Sequence, residues 1–190
     1  MKGRTGCLFI VGAVALVALI IGISLWSGYN SLVTKSQAID GQWSQVETQY
    51  QRRYDLIPNL VNSVKGIMAQ EREVFDQISE ARTRYAGATT TDEKAVAGTE
   101  MEVALGRLLV VMENYPQLRS IEAVTQLMDE LAGTENRISV ERRRYNDLVR
   151  DYNTSIKKFP TNLMASIFNF DEREYFQSVS GADQVPTVEF

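Results

Sequence analysis

IEAVTQLMDELAGTENRISVERRRYNDLVRDYNTSIKKFP, residues 121–160, decides the fold. Ile121, Met128, Glu135, Arg142, Val149 and Ile156 recur seven apart, and so do Val124, Leu131, Ile138, Tyr145, Tyr152 and Phe159. The two sets interleave at spacings of three and four, so they share one stripe of a long helix, as in the a and d seam of a coiled coil. Lys157 and Lys158 complement the helix dipole, and Pro160 ends the helix.

The same periodicity runs upstream. A first stripe passes through Ile39, Trp43, Val46, Tyr50, Arg53, Ile57, Leu60, Val64, Ile67, Glu71, Val74, Ile78, Ala81 and Tyr85. Pro58 lies inside it, either as a kink or in the first turn of a fresh helix capped by Asp55. Arg82 and Arg84, then Gly87, suit the end of this helix, Thr89–Asp92 is the connecting loop, and Thr90-x-x-Glu93 resembles a capping box. A second helix carries Met101, Leu105, Leu108, Met112 and Tyr115 on one face and stops before Pro116. Nothing reads as a strand. At about 1.5 Å per residue the three helices measure roughly 70, 37 and 60 Å. The short second helix leaves the third overshooting, unless a long helix breaks. Pro58 and Gly133 are the expected break points, and a break turns three helices into four. Without one, the overshooting stripe calls for self-association. The expected fold class is all-α: an N-terminal transmembrane helix, then a long antiparallel helical bundle.

Cys7–Trp26, CLFIVGAVALVALIIGISLW, holds no charge. As a helix it spans about 30 Å, the thickness of a bilayer's hydrocarbon core. Lys2 and Arg4 precede it and the next charge is Lys35, so the positive-inside rule places the N-terminus in the cytoplasm. The run is longer than the apolar part of a signal peptide, and the small-residue site Gly22-Ile23-Ser24 is followed by bulky Leu25 and Trp26. An uncleaved anchor is therefore expected. Cys7 precedes the apolar run, which misplaces it for a lipoprotein cysteine and leaves a free thiol or an acylation site. The expected organisation is a cytoplasmic N-terminus at 1–6, an anchor at 7–26, an extracytoplasmic bundle at 27–160 and an aromatic-rich tail at 161–190.

Composition removes several classes of function. Among 190 residues there is no His and one Cys, so the chain cannot build a His-based triad, a His-ligated zinc site or an internal disulfide. Carboxylate-bridged metal pairs in bundles use Glu-x-x-His, which needs His as well. The net charge is −4, and residues 27–190 hold all 24 acidic groups, so nucleic acid is not an expected partner. No cofactor, metal or catalytic residue is expected.

Several separated motifs carry a family resemblance. They are Gln49-Tyr50-Gln51-Arg52-Arg53, Asp55-Leu56-Ile57-Pro58-Asn59-Leu60-Val61, Glu113-Asn114-Tyr115-Pro116, Thr134-Glu135-Asn136-Arg137-Ile138, Arg143-Arg144-Tyr145-Asn146 and Tyr152-Asn153. Phe159-Pro160, Phe168-Asn169-Phe170, Tyr175-Phe176 and Pro186-Thr187-Val188-Glu189-Phe190 follow in order. Together they resemble the signature of LemA family proteins over essentially the whole chain. The resemblance implies a bacterial protein with an N-terminal anchor and an extracytoplasmic antiparallel bundle. It implies no reaction.

Four charges interrupt the apolar stripes: Arg53, Glu71, Glu135 and Arg142. An unpartnered buried charge costs several kcal/mol, so they are expected to pair, either as a salt-bridge set that fixes helix register or as a polar site inside the bundle. Glu135 is the expected buried carboxylate. Tyr145-Asn146 and Tyr152-Asn153 repeat at one heptad; the tyrosines suit the core, and the asparagines could bond backbone near Asn59 or a neighbouring subunit. In the tail, Phe159, Leu163, Ile167, Phe168, Phe170 and Phe176 could dock on the bundle, on another subunit, on lipid or on an unrelated partner.

The expectation that follows is a non-enzymatic protein of the bacterial cytoplasmic membrane, touching lipid through its anchor. It would act as a homo-oligomeric scaffold of the cell envelope that organises membrane or an envelope protein partner. The alternative is a monomeric adaptor or envelope-stress ectodomain that recruits a membrane protein such as a protease.

Overall fold

The computed structural model describes residues 2–176. Among the described residues five α-helices follow one another: α1 (Lys2–Lys65), α2 (Arg72–Gly87), α3 (Thr91–Met112), α4 (Glu122–Lys157) and α5 (Thr161–Phe168), with a 3-10 turn at Pro116–Ser120. There is no strand among the described residues. Phe190 and the rest of the tail beyond Phe176 lie outside them, as does the side chain of Cys7. The chain divides into two compact units, Met1–Gly41 with Tyr145–Tyr175, and Gln42–Arg144 with Phe176–Phe190.

The second unit is a four-helix bundle. Its core is the expected stripe, with Ile57, Leu60, Val64, Ile78, Leu108, Val124 and Ile138 essentially without solvent exposure. Contacts set the directions of the helices. Tyr54 of α1 donates to the carbonyl of Arg82 on α2 (3.1 Å), while Tyr50, one turn earlier, packs on Tyr85 (5.8 Å), so α2 runs back along α1. On α3, Lys94 pairs with Glu47 and Glu102 with Arg53, so α3 runs with α1. Gln42 donates to Glu141 (2.7 Å), while Arg53 reaches Thr134 (3.4 Å), so α4 runs against it.

A break does create the fourth helix, but at neither expected place. Pro58 sits inside α1 and Gly133 inside α4, and both helices continue. Proline removes one amide donor and crowds the carbonyl four residues back. Ile57 and Leu60, fully buried on either side, hold the helix through that fault. Gly133 has Leu131 and Thr134 buried beside it, which anchors α4 across the weak residue. α1 stops at Gly66 instead. The amides of Ile67 and Met68 both turn to the carbonyl of Val64 (2.9 Å each), and Glu71 donates to the carbonyl of Met68 (3.0 Å). This turn moves the stripe by one residue: Met68 is buried where Ile67 was expected, and Ile67 is exposed.

The loop before α3 is the expected capping box. Thr90 Oγ1 accepts from the amide of Glu93 (3.2 Å), and the Glu93 carboxylate accepts from the amides of Thr89 (2.8 Å) and Thr90 (3.1 Å). Those donors favour the ionised form and hold the Glu93 carboxyl below its ordinary range.

The first unit pairs the N-terminal part of α1 with the last turns of α4, and its core includes Leu32, Ile39, Val149, Tyr152 and Ile156. Lys35 donates to Ser155 Oγ (2.5 Å). α5 and the segment from Asp171 to Tyr175, which has no regular secondary structure, complete the unit. The α4 overshoot is thus covered from within the chain. Tyr152 donates to the carbonyl of Asp171 (3.1 Å) and Tyr145 to that of Glu174 (3.4 Å). Asn153 donates to the carbonyl of Arg173 (2.8 Å) and accepts from its amide (2.9 Å). The heptad-repeated Tyr-Asn pairs therefore include a clamp for the tail, and the buried Asn153 binds there rather than near Asn59.

Candidate functional site: a charged layer inside the bundle

Three helices of the second unit bring charges to one interior layer. Tyr50 and Arg53 lie three apart on α1, Glu102 is on α3, and Glu135 and Arg142 lie one heptad apart on α4. Arg53 is almost fully buried. It donates to Glu102 (3.4 Å), to Thr134 Oγ1 (3.4 Å) and to Glu135. Arg142 donates through Nε to the Tyr50 hydroxyl (2.9 Å) and pairs with Glu102, whose Oε2 lies 3.3 Å from Nη1. Glu102 thus bridges both arginines, and the layer of two guanidiniums and two carboxylates is formally neutral. Neutral pairing with satisfied donors keeps buried charge tolerable.

Burial controls the electrostatics. Removal from water pushes the Glu102 carboxyl up, outweighing attraction from Arg142 and Arg53. Desolvation likewise pushes the Tyr50 phenol up to about 12, against the pull of Arg142. The Tyr85 hydroxyl is buried with no hydrogen-bond partner among the described residues, and desolvation raises it too.

The four charges read from sequence do not all meet. Arg53, Arg142 and Glu135 come together, but the Glu135 side chain is half exposed. The better buried carboxylate is Glu102, because it faces α1 and α4 whereas Glu135 sits at the rim. Glu71 lies elsewhere, at the start of α2, and accepts from the Tyr115 hydroxyl (2.9 Å). A signal for Glu102 was present: Gly98, Glu102, Leu105 and Leu109 form a row at spacings of four, three and four beside the apolar face of α3.

The tail aromatics also divide. Phe176 stacks on Trp43 (6.2 Å between centroids) and covers the Arg142 guanidinium at 4.4 Å, a cation–π contact at the edge of the charged layer. Phe168 and Phe170 pack on Tyr29 (4.8 and 5.8 Å), while Phe159, Leu163 and Ile167 stay exposed. Sequence reasoning missed Val96, Val103 and Val110. They lie seven apart on α3, each more than half exposed, on the face opposite Met101 and Leu108.

Chemically, the layer holds helices in register. The cavity at the layer itself, between Tyr50, Arg53, Tyr85 and Gly98, holds only about 10 Å³, and the groove along α1 lined by Glu47, Gln51, Arg52 and Asp55 is open. Among the described residues no three Cys, Asp or Glu converge as metal ligands would. From Val11, α1 carries an apolar stretch long enough to cross a membrane, and its large side chains from Val11 to Ile23 are exposed. These features define a membrane-associated helical-bundle protein. The family model for the LemA family matches residues 42–190, and the chain belongs to that family. Magnetosome protein MamQ 2 of Paramagnetospirillum magneticum is 30% identical over 208 residues, covering 96% of this chain and 76% of the relative. Magnetosome protein MamQ of Magnetospirillum gryphiswaldense is 27% identical over the same shares. Protein LemA of Metamycoplasma hominis is 23% identical over 150 residues, covering 78% of this chain and 68% of that one.

Proposed function

We propose that this protein is a non-enzymatic scaffold, anchored by α1 with its N-terminus in the cytoplasm, whose copies associate outside the cytoplasm to organise membrane or a protein partner in the bacterial envelope. One observation carries the association: the valine row of α3. Three exposed β-branched groups at heptad spacing make an apolar seam, which suits a like seam on a second copy. On one side the seam is bordered by α2, whose Arg84 pairs with Glu100 (2.8 Å) and whose Gln77 accepts from Arg107 (2.8 Å). The absence of a reaction is supported by the paired state of the interior charges, since a general acid or base needs access to substrate.

One observation favours the monomeric adaptor as a second reading. The overshoot of α4, which on sequence grounds called for another subunit, is covered by the chain's own tail. Light scattering on the full chain in mild detergent separates the two. A multimer that Val103→Lys reduces to monomer supports the scaffold; a monomer at tens of micromolar before any substitution favours the adaptor.

A further inference from the structure

Apart from the anchor itself and Tyr175, the exposed large apolar groups of the first unit lie on or beside α5 and on Tyr29. α5 turns Met164 and Ala165 inward and packs on Gly28, where an added Cβ would lie 3.7 Å from Met164 Cγ and 4.0 Å from Thr161 Cγ2. Tyr29 meets the Phe168 ring at 4.8 Å. Asn169, in the left-handed region at φ 53°, stops α5, and its amide and that of Phe170 both reach the carbonyl of Ala165. On the other side Leu163 and Ile167, four residues apart on α5, are 48% and 64% exposed; Phe168 at their edge is 53% exposed, and Phe159, just before the helix, is 79% exposed.

The register of α1 says what covers them. The strongly apolar run ends at Trp26, and Gly28 follows in the same unbroken helix, about 3 Å further along the axis. The polar zone of a bilayer leaflet is roughly 5–8 Å thick. A short helix fastened to Gly28 and Tyr29 therefore lies inside that zone whenever α1 spans the core. We propose that α5 is a second membrane contact: an interfacial helix whose Leu163 and Ile167 side enters the headgroup–acyl boundary of the leaflet from which α1 emerges, with the exposed Phe159 just before it. The inference rests on reading α1 as a membrane anchor. α5 carries no charge, and its flanks hold Lys157 and Lys158 on one side and Asp171 and Glu172 on the other. Apolar burial rather than anionic headgroups is the source of binding, and a zwitterionic lipid suffices.

The test uses the full chain with Cys7→Ser, reconstituted in phosphatidylcholine vesicles containing lipid with a nitroxide high on its acyl chain. An environment-sensitive fluorophore is attached in turn at Ile167→Cys, Leu163→Cys, Ile20→Cys in the anchor and Asp147→Cys on an exposed turn of α4. The expected result is a blue-shifted Ile167 or Leu163 probe, quenched several-fold more strongly than the Asp147 probe. Strong quenching at Ile20 by a deep nitroxide, with both α5 probes no more quenched than Asp147, would overturn the second contact and leave the anchor standing. A blue shift at α5 without lipid quenching would also overturn it, assigning the face to a second copy. Lack of quenching at Ile20 would remove the anchor reading and the inference with it.

Discussion

The ring of Tyr50 occupies the space that a side chain at Gly98 would need. A Cβ at Gly98 would lie 2.5 Å from Cε1 and 2.7 Å from Cζ of that ring, closer than carbon atoms pack. Glycine is there because α3 approaches α1 at the aromatic group that receives Arg142.

Gly98→Ala should therefore destabilise the bundle, although alanine is the better helix former by about 1 kcal/mol. Overpacking of this kind costs about 1–3 kcal/mol. Urea unfolding should show the loss, and Tyr50→Leu in the same chain should recover part of it. Full additivity of the two substitutions would argue against the contact.

Glu102 and Glu135 should respond unequally. Glu102→Gln leaves two guanidiniums facing one carboxylate in a largely buried layer; because burial already weighs against the ionised form, the loss should be about 1–3 kcal/mol. Glu135→Gln acts on a half-exposed side chain and should cost about 0–1 kcal/mol. Thermal melts of the two variants measure the difference.

Alkaline pH should weaken the fold through Tyr50. Its folded pKa of about 12 lies above the ordinary tyrosine value of about 10. Between the two the folded chain keeps a proton that the unfolded chain has lost, so the stabilisation is complete below pH 10 and is lost as pH rises towards 12. Stability measured at pH 10, 11 and 12 should fall more steeply in the parent than in Tyr50→Phe.

Asn153 should govern the tail. Asn153→Ala removes both bonds to the Arg173 backbone, so trypsin should cut after Arg173 several-fold faster while the rest of the chain stays resistant. Asn153→Asp keeps the acceptor and loses the donor, and should fall between.

Much of this fold was legible in the sequence because heptad spacing is a local signal. The row from Val124 to Tyr152 is buried throughout. The break was misplaced because Pro58 is the louder residue, yet buried neighbours on both sides outweigh one missing amide bond. Gly66 has open space around it and no tertiary contact to hold it helical. The charged layer was half legible. Arg53 and Arg142 announce themselves in apolar rows, whereas Glu102 stands beside its row and is buried by the approach of α1 and α4. The valine row was missed because exposure depends on which face of α3 turns outward, and a helix apolar on both faces hides that choice.

The most direct test of association is cysteine cross-linking in intact membranes, using the full chain with Cys7→Ser and Val103→Cys. Val103 is the middle of the row, so two symmetric copies bring it against itself whichever way the seams run. We expect a disulfide-linked dimer on mild oxidation, with none from Asp147→Cys and a marked reduction when Val96→Lys is added. Monomer from Val103→Cys under conditions that oxidise a free thiol, or equal dimer from Asp147→Cys, would contradict the α3 seam and the scaffold built on it.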